Sequence, residues 1–550
     1  MRILKKINLS VAVLLLGLIL GGGANVATAD VVFVSGDVSG VWSADSVIVT
    51  DSIYVSPGNS LEIEPGVHVL FLTANYFRVK EGAILHAVGT EADTIKFLPA
   101  VDGYNTLGID FEDASDESIV EYCYFTRALY SAIALTSCNM TIRNCLMEGN
   151  FGYYRGGGIS ALEGSDALIE NNIIRNNETV QQGGGIYCDT SSPIIRGNMI
   201  EGNTSGPIAT GGGISCNNHS HPLIVNNTFA NNQVFPSPAY PATVGQGAAI
   251  YCSNLSNPVI TGNLFFNNRV NGGGAVGQSG GGAIFVFSAV PEIENNVFAG
   301  NTVEVGDGGA LYLFIFNGSL VNNVFVNNTA ADNGGAVYMD LSHPSVINSV
   351  FYDNYSPDGP VFFLDRSSDI DVTYSDVEGG WEGEGNIDID PLFRDPGAAD
   401  YHLMAVECGD PYDSPCIDAG SPDYADSLLD CSWGLGTELS DMGAFGGGQM
   451  IPTAVDDDIE TPSGFFISTN YPNPFNASTT ISYQLPQASV VTLEVYDMLG
   501  RKVETLIDNR HDAAGEHHIT WDASDNTSGL YFYRLEVDGH SGTSKMLLLK

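Results

Sequence analysis

The chain has 550 residues, 44% of them hydrophobic, and a formal net charge of −45 with only 20 Lys and Arg. This length holds two or three domains and a large core, and the apolar content excludes a disordered chain. Lysine is absent between Lys96 and Lys502, which excludes nucleic acid and anionic membrane surfaces as partners, because both need clustered cations.

In chain order, the first element is an address. Arg2, Lys5 and Lys6 precede an apolar run from Leu9 to Leu20, and Ala27-Thr28-Ala29 forms a small-x-small cleavage site after Ala29. Residues 1–29 therefore read as a signal peptide, too short in its apolar run for a transmembrane anchor. The nine cysteines of an exported chain permit disulfides and leave at least one thiol unpaired. Residues 30–115 carry short alternating segments such as LEIEPGVHVLF, predicted as an N-terminal cap and first coils.

Residues 116–385 repeat one phrase, apolar-x-(Asn/Gly)-Asn-x-apolar-x-x-Asn, starting at Ile142, Ile169, Ile195, Ile224, Ile260, Ile293, Leu320 and Val346. By subtraction the spacings are 27, 26, 29, 36, 33, 27 and 26 residues. The fourth position holds Asn172, Asn198, Asn227, Asn263, Asn296 and Asn323, and the ninth is Asn in every unit from Asn150 to Asn354. A second phrase follows each of the first seven units: GGGIS, GGGIY, GGGIS, GAAIY, GGAIF, GGALY, GGAVY. Such segments are short, rich in Ile, Val and Phe, and punctuated by Gly and Asn, so they read as strands. One unit buries no core alone, whereas units stacked in register do, each adding roughly 4.8 Å along the axis. Asn suits such a stack because its amide bonds the next Asn and it tolerates a left-handed corner. Cys188, Cys216 and Cys252 share an inward slot with Val286, Leu313 and Met339, which marks them as core rather than metal ligands. Cys123 and Cys145 occupy the Asn slot of successive coils, as ladder fillers or as a disulfide between coils.

These phrases resemble the right-handed, single-stranded parallel β-helix of the pectate-lyase-like superfamily over about residues 46–400. That fold hosts lyases, hydrolases, adhesins and stalks alike. Residues 386–450 form an end-piece whose segments NIDIDPLFRDP, SPCIDAG and DMGAFG resemble surface β-helix proteins of the choice-of-anchor Q type. One disulfide among Cys408, Cys416 and Cys431 is expected there. An acidic linker follows at 451–464, and 465–550 alternates at strand spacing, as a small β-sandwich does. Its motifs YPNPFN, YDMLGRKV, SGLYFYRL and KMLLLK resemble the type A sorting domain of the type IX secretion system. The resemblance implies the type IX machinery as a partner and export to the surface or surroundings of a Gram-negative bacterium. The fold expected is thus all-β: a parallel β-helix followed by a small immunoglobulin-like sandwich.

Chemistry-bearing motifs are sparse. No H-E-x-x-H or G-x-S-x-G is present, acids sit singly on turns, and no catalytic or metal residue is assigned. The group Asp365, Asp369, Asp371, Asp376, Glu378, Asp388 and Asp390 reads either as oxygen ligands for Ca²⁺ or as a solvated rim. Between the inward slots of the Gly-rich strand lies an outward slot holding Ser160, Tyr187, Ser215, Tyr251, Phe285, Tyr312, Tyr338 and Phe362. Tyr251, Phe285, Tyr312 and Tyr338 are the candidate ligand-binding residues: stacked flat faces would present a platform to a glycan, or would simply support the sheet. The insertions at 233–246 and 269–280 would wall a cleft or be plain surface loops. These readings predict an exported, non-catalytic protein that binds glycan or acts as an adhesin. A polysaccharide lyase or glycoside hydrolase is the alternative, and a structural stalk the third.

Overall fold

The computed structural model describes residues 30–446, apart from 207–209, 236–243, 272–278, 427, 428, 430 and 432, and most of 466–548. The signal peptide with Ala29, the linker and YPNPFN lie outside the described residues. The chain forms two compact units, 1–451 and 452–550.

The first unit is a coil of parallel strands. A long strand, Ser46–Val55, bends and pairs with both His68–Phe71 and Phe77–Val79, so it belongs to two strand stacks at once. Between Phe151 and Ala330 a further stack of short strands joins, and there each coil lays one strand on every stack. In one coil these are Leu168–Glu170, Ile173–Arg175, Glu178–Thr179 and Ile186–Asp189. Pairing is parallel and in register: Ile169 meets Ile195, Ile195 meets Ile224, Ile224 meets Ile260, and Ile260 meets Ile293. Residues 26 to 36 apart thus share one column. Alternation turns Ile, Val, Leu and Phe inward from every wall, and Phe229, Phe265, Phe298, Phe325 and Phe351 stack face to face at 4.7–4.8 Å.

The predicted Asn ladder is present. Asn198 donates its main-chain N–H and its Nδ2 to Asn227 Oδ1, both at 2.9 Å, and Nδ2 also donates to the Ile169 carbonyl. The same pattern runs through Asn172, Asn227, Asn263, Asn296 and Asn323. The left-handed corner belongs to the preceding residue instead: Asn171, Gly197, Asn226, Gly262 and Asn295 have φ between 53° and 66°. The ladder Asn is buried one step on, where its amide satisfies backbone that the corner leaves unpaired. The ninth-position Asn forms a second ladder of the same geometry, from Asn150 through Asn328 to Asn354. A buried serine column runs at another corner, where Ser165, Ser191, Ser220 and Ser256 each accept from the coil before. Cys123 and Cys145 are free, buried ladder fillers, and Asn172 Oδ1 accepts from Cys145 N–H at 2.9 Å.

The ends differ from expectation in detail. No separate cap precedes the first coil among the described residues: Val31–Asp37 is itself the first rung, paired only with Ser46–Val55. The end-piece forms a two-stranded antiparallel pair, Phe393–Asp395 with Asp400–Leu403. Its Phe393, Tyr401, Leu403, Leu435 and Met442 cover an apolar strip, Val297, Val324, Val326 and Val350, on the outside of the coils. It is therefore a side cover. The expected disulfide joins Cys408 to Cys431, and Cys416 is free and buried.

The second unit has two antiparallel sheets of three and four described strands. Trp521, Tyr483, Tyr533, Ile481 and Leu493, drawn from both sheets, share one core.

Candidate functional site

The Gly-rich phrase is a turn folded tightly onto its own strand. At Gly183, φ is +64°, and a Cβ would lie 2.3 Å from the Ile186 carbonyl oxygen, so only glycine fits. A Cβ on Gly184 would meet Gly212 O of the next coil at 2.4 Å.

This turn decides the fate of the predicted aromatic platform. Tyr251, Phe285, Tyr312 and Tyr338 do stand one above another outside the strand, with ring centroids 5.9, 4.4 and 4.6 Å apart. They are not open, however. Phe285 is 0% exposed, Tyr312 2% and Tyr338 6%, and with the half-buried Tyr251 they form a small core of their own. The side of a strand facing away from the main core here faces a covering turn: a Cβ on Gly280 would lie 2.5 Å from Tyr312 Cδ2. The flat faces are spent on one another and on backbone. The last member of the column is Phe363, which stacks on Tyr338 at 5.5 Å, and Phe362 points inward.

Polar groups line one edge of this column. Tyr338 donates its hydroxyl to Asp365 at 2.9 Å. Arg366 pairs with the fully buried Asp340 and lies 3.6 Å from Asp365. Asn333 donates to Asp307 at 2.7 Å, and burial pushes the Asp307 carboxyl up to about 6. Burial pushes the phenols of Tyr312 and Tyr338 well above their ordinary range, so both stay neutral donors. This edge holds one half-buried acid of raised pKa and one partly open carboxylate, Asp365, already engaged by Tyr338 and Arg366.

Of the other predicted acids, Asp376, Glu378, Asp388 and Asp390 stand near one another, and the charges of Asp388 and Asp390 add to the burial that raises Asp376. Asp369 pairs with His343, Asp376 accepts from Ile389 N–H, Glu378 from Asp353 N–H and Asp388 from Gly379 N–H. Among the described residues no three His, Cys, Asp or Glu side chains gather as a metal-binding group. Of the two insertions, the central parts lie outside the described residues.

Open aromatic faces do occur, on a different part of the coil. Tyr104, Tyr130, Tyr153 and Tyr154 are 51%, 49%, 51% and 55% exposed. They sit on the turns before three successive strands of one stack, Ile109–Glu112, Ile133–Thr136 and Ile159–Leu162. Hydrogen bonds from Thr106 N–H to Arg127 O and from Phe151 N–H to Ala128 O hold these turns in register. Tyr153 and Tyr154 meet edge to face at 4.6 Å. Sequence reading passed over them because they occupy irregular turns, outside any repeating slot; the only signal was four tyrosines at comparable offsets before three strands.

Three family matches bear on this architecture. Residues 107–290 match the family described as right handed beta helix region, and residues 469–549 the secretion system C-terminal sorting domain. A short stretch, 324–340, matches the Chlamydia polymorphic membrane protein repeat. No curated protein and no solved structure matches the chain. No helix among the described residues is long and apolar enough to cross a membrane. Parallel coils joined by Asn ladders, a matching coil family and a matching sorting tail together make this chain a secreted right-handed β-helix protein with a C-terminal type IX sorting domain.

Proposed function

We propose that the protein is held on or released from the outer surface of a Gram-negative cell, where it binds an extended glycan without cleaving it. The observation that carries this reading is the group of exposed rings at Tyr104, Tyr130, Tyr153 and Tyr154 on neighbouring coils. Open aromatic faces stack on the C–H faces of sugar rings, and coils roughly 4.8 Å apart repeat along one direction, as a polysaccharide does. The test is a glycan array probed with the exported protein, with an assay for reducing ends and unsaturated products alongside. The expected result is binding without product, weakened about fivefold or more by Tyr130→Ala or Tyr154→Ala. Binding unchanged in both variants removes the site.

One observation favours a second reading, cleavage of the bound polysaccharide. Asp307 is held at about 6, the range of a general acid, and the charge of Asp365 contributes to that rise. Product formation abolished by Asp307→Asn establishes this reading, and absence of product in the wild type removes it.

A further inference from the structure

The C-terminal segment of the coil unit docks through polar groups as well as apolar ones. At the left-handed corner of the last coils, Asn322 donates Nδ2 to the carbonyls of Asp441 and Gly443, and Asn348 donates to Ser440 Oγ at 3.1 Å. Ser421 N–H returns a bond to Asn348 Oδ1. An antiparallel bridge between Ala425 and Leu439, and a bond from Asp426 N–H to Glu438 O, set residues 424–426 beside 438–441.

This seam holds an anomaly. Asp426 is 6% exposed, and neither of its carboxylate oxygens has a well-aligned hydrogen-bond donor; the one N–H close to it, that of Asp441, is aimed at the Gly446 carbonyl. One coil before Asn322, in the same corner column, Asn295 Oδ1 is also buried without a donor. Asp441, fully buried, uses Oδ1 and Oδ2 to accept from Asp418 N–H and Leu435 N–H. Burial, then the charge of Asp441, pushes Asp426 up to about 8, and burial pushes Asp441 up to about 7. The segment's single Lys or Arg, Arg394, is engaged by Asp410 and the Cys431 carbonyl. Buried acceptors without donors cost several kcal/mol unless a positive charge meets them.

We propose that Asp426 and Asp441 bind a divalent cation of the hard, oxygen-seeking class to which calcium belongs, and that it fastens the C-terminal segment to the flank of the coils. Two carboxylates neutralise its charge. Main-chain carbonyls and water complete the six to eight oxygens that calcium takes. Asp441 keeps both of its backbone bonds while binding the ion, since each carboxylate carries about four acceptor positions. The site stands apart from any glycan surface, so it is independent of the proposed function.

The test is calcium titration of the full exported protein after chelation, by calorimetry and by thermal unfolding. The wild type is expected to bind calcium and to melt several degrees higher with it. Asp426→Asn is expected to lose at least about tenfold in affinity, whereas Asp369→Asn, an exposed acid paired with His343, is not. Asp441→Asn serves if Asp426→Asn fails to fold. No heat and no melting shift in the wild type overturns the proposal, as does calcium affinity that survives Asp426→Asn. A melting temperature that follows pH and ignores calcium also overturns it, because the pair then shares a proton.

Discussion

Replacing Asn198 by alanine leaves Asn172 N–H without its acceptor and removes the side-chain bonds to Asn227 Oδ1 and the Ile169 carbonyl. All are buried, so the expected loss is about 2–4 kcal/mol in urea unfolding, against less than about 0.5 for Asn59→Ala at an exposed turn. Acidity gives a second expectation at this scale. Burial holds Asp307 and Asp376 at about 6, against an ordinary 3.8. Their protonated forms favour the fold, so their contribution is full below about 4 and is lost as pH rises through 6. Asp400 and Asp410, whose carboxyls sit below the ordinary range, are already charged above pH 4 and do not oppose this. The melting temperature in chelator is expected to fall between pH 4 and pH 7, and Asp307→Asn to reduce that slope. The ladder was legible from residue identity because equal side chains at equal intervals have one simple explanation. The left-handed residue was misassigned by one place, since Asn or Gly occupies both adjoining positions and composition alone does not separate them.

The strand–turn element explains where site reading failed. Alternation correctly put Tyr312 and Cys188 on opposite sides of their strands. Away from the main core does not mean towards water when a glycine turn of the neighbouring coil lies over that side. Phe285→Ala is accordingly a core substitution, expected to cost about 3–5 kcal/mol, and to leave glycan binding per folded molecule unchanged. A selective loss of binding at full stability would return the platform to this column. The exposed tyrosines were not legible because turns before strands carry no period, and their register follows only from how neighbouring coils hydrogen-bond.

On the scale of the whole chain, the order coil unit then sorting unit could be read from repeat and motif, while the side cover could not. Val297, Val324 and Val350 look like ordinary strand residues, and only their place on the outside of one stack calls for a lid. Cys408 and Cys431 close a loop of that lid. Cys431→Ser is expected to destabilise the lid by about 2–4 kcal/mol, read as faster proteolysis after residue 390 and increased binding of a hydrophobic dye. Unchanged proteolysis would mean that apolar packing alone holds the lid.

Because each rung outside the covered last coils bonds to the one above and the one below, molecular length is countable in whole steps. Excising residues 169–194 would bring Asn150 under Asn203 and Ile142 beside Ile195, recreating the junctions that the excised rung had made with its neighbours. A gene gaining or losing one such block changes the reach of this protein by about 5 Å and leaves its tail, its lid and its export untouched.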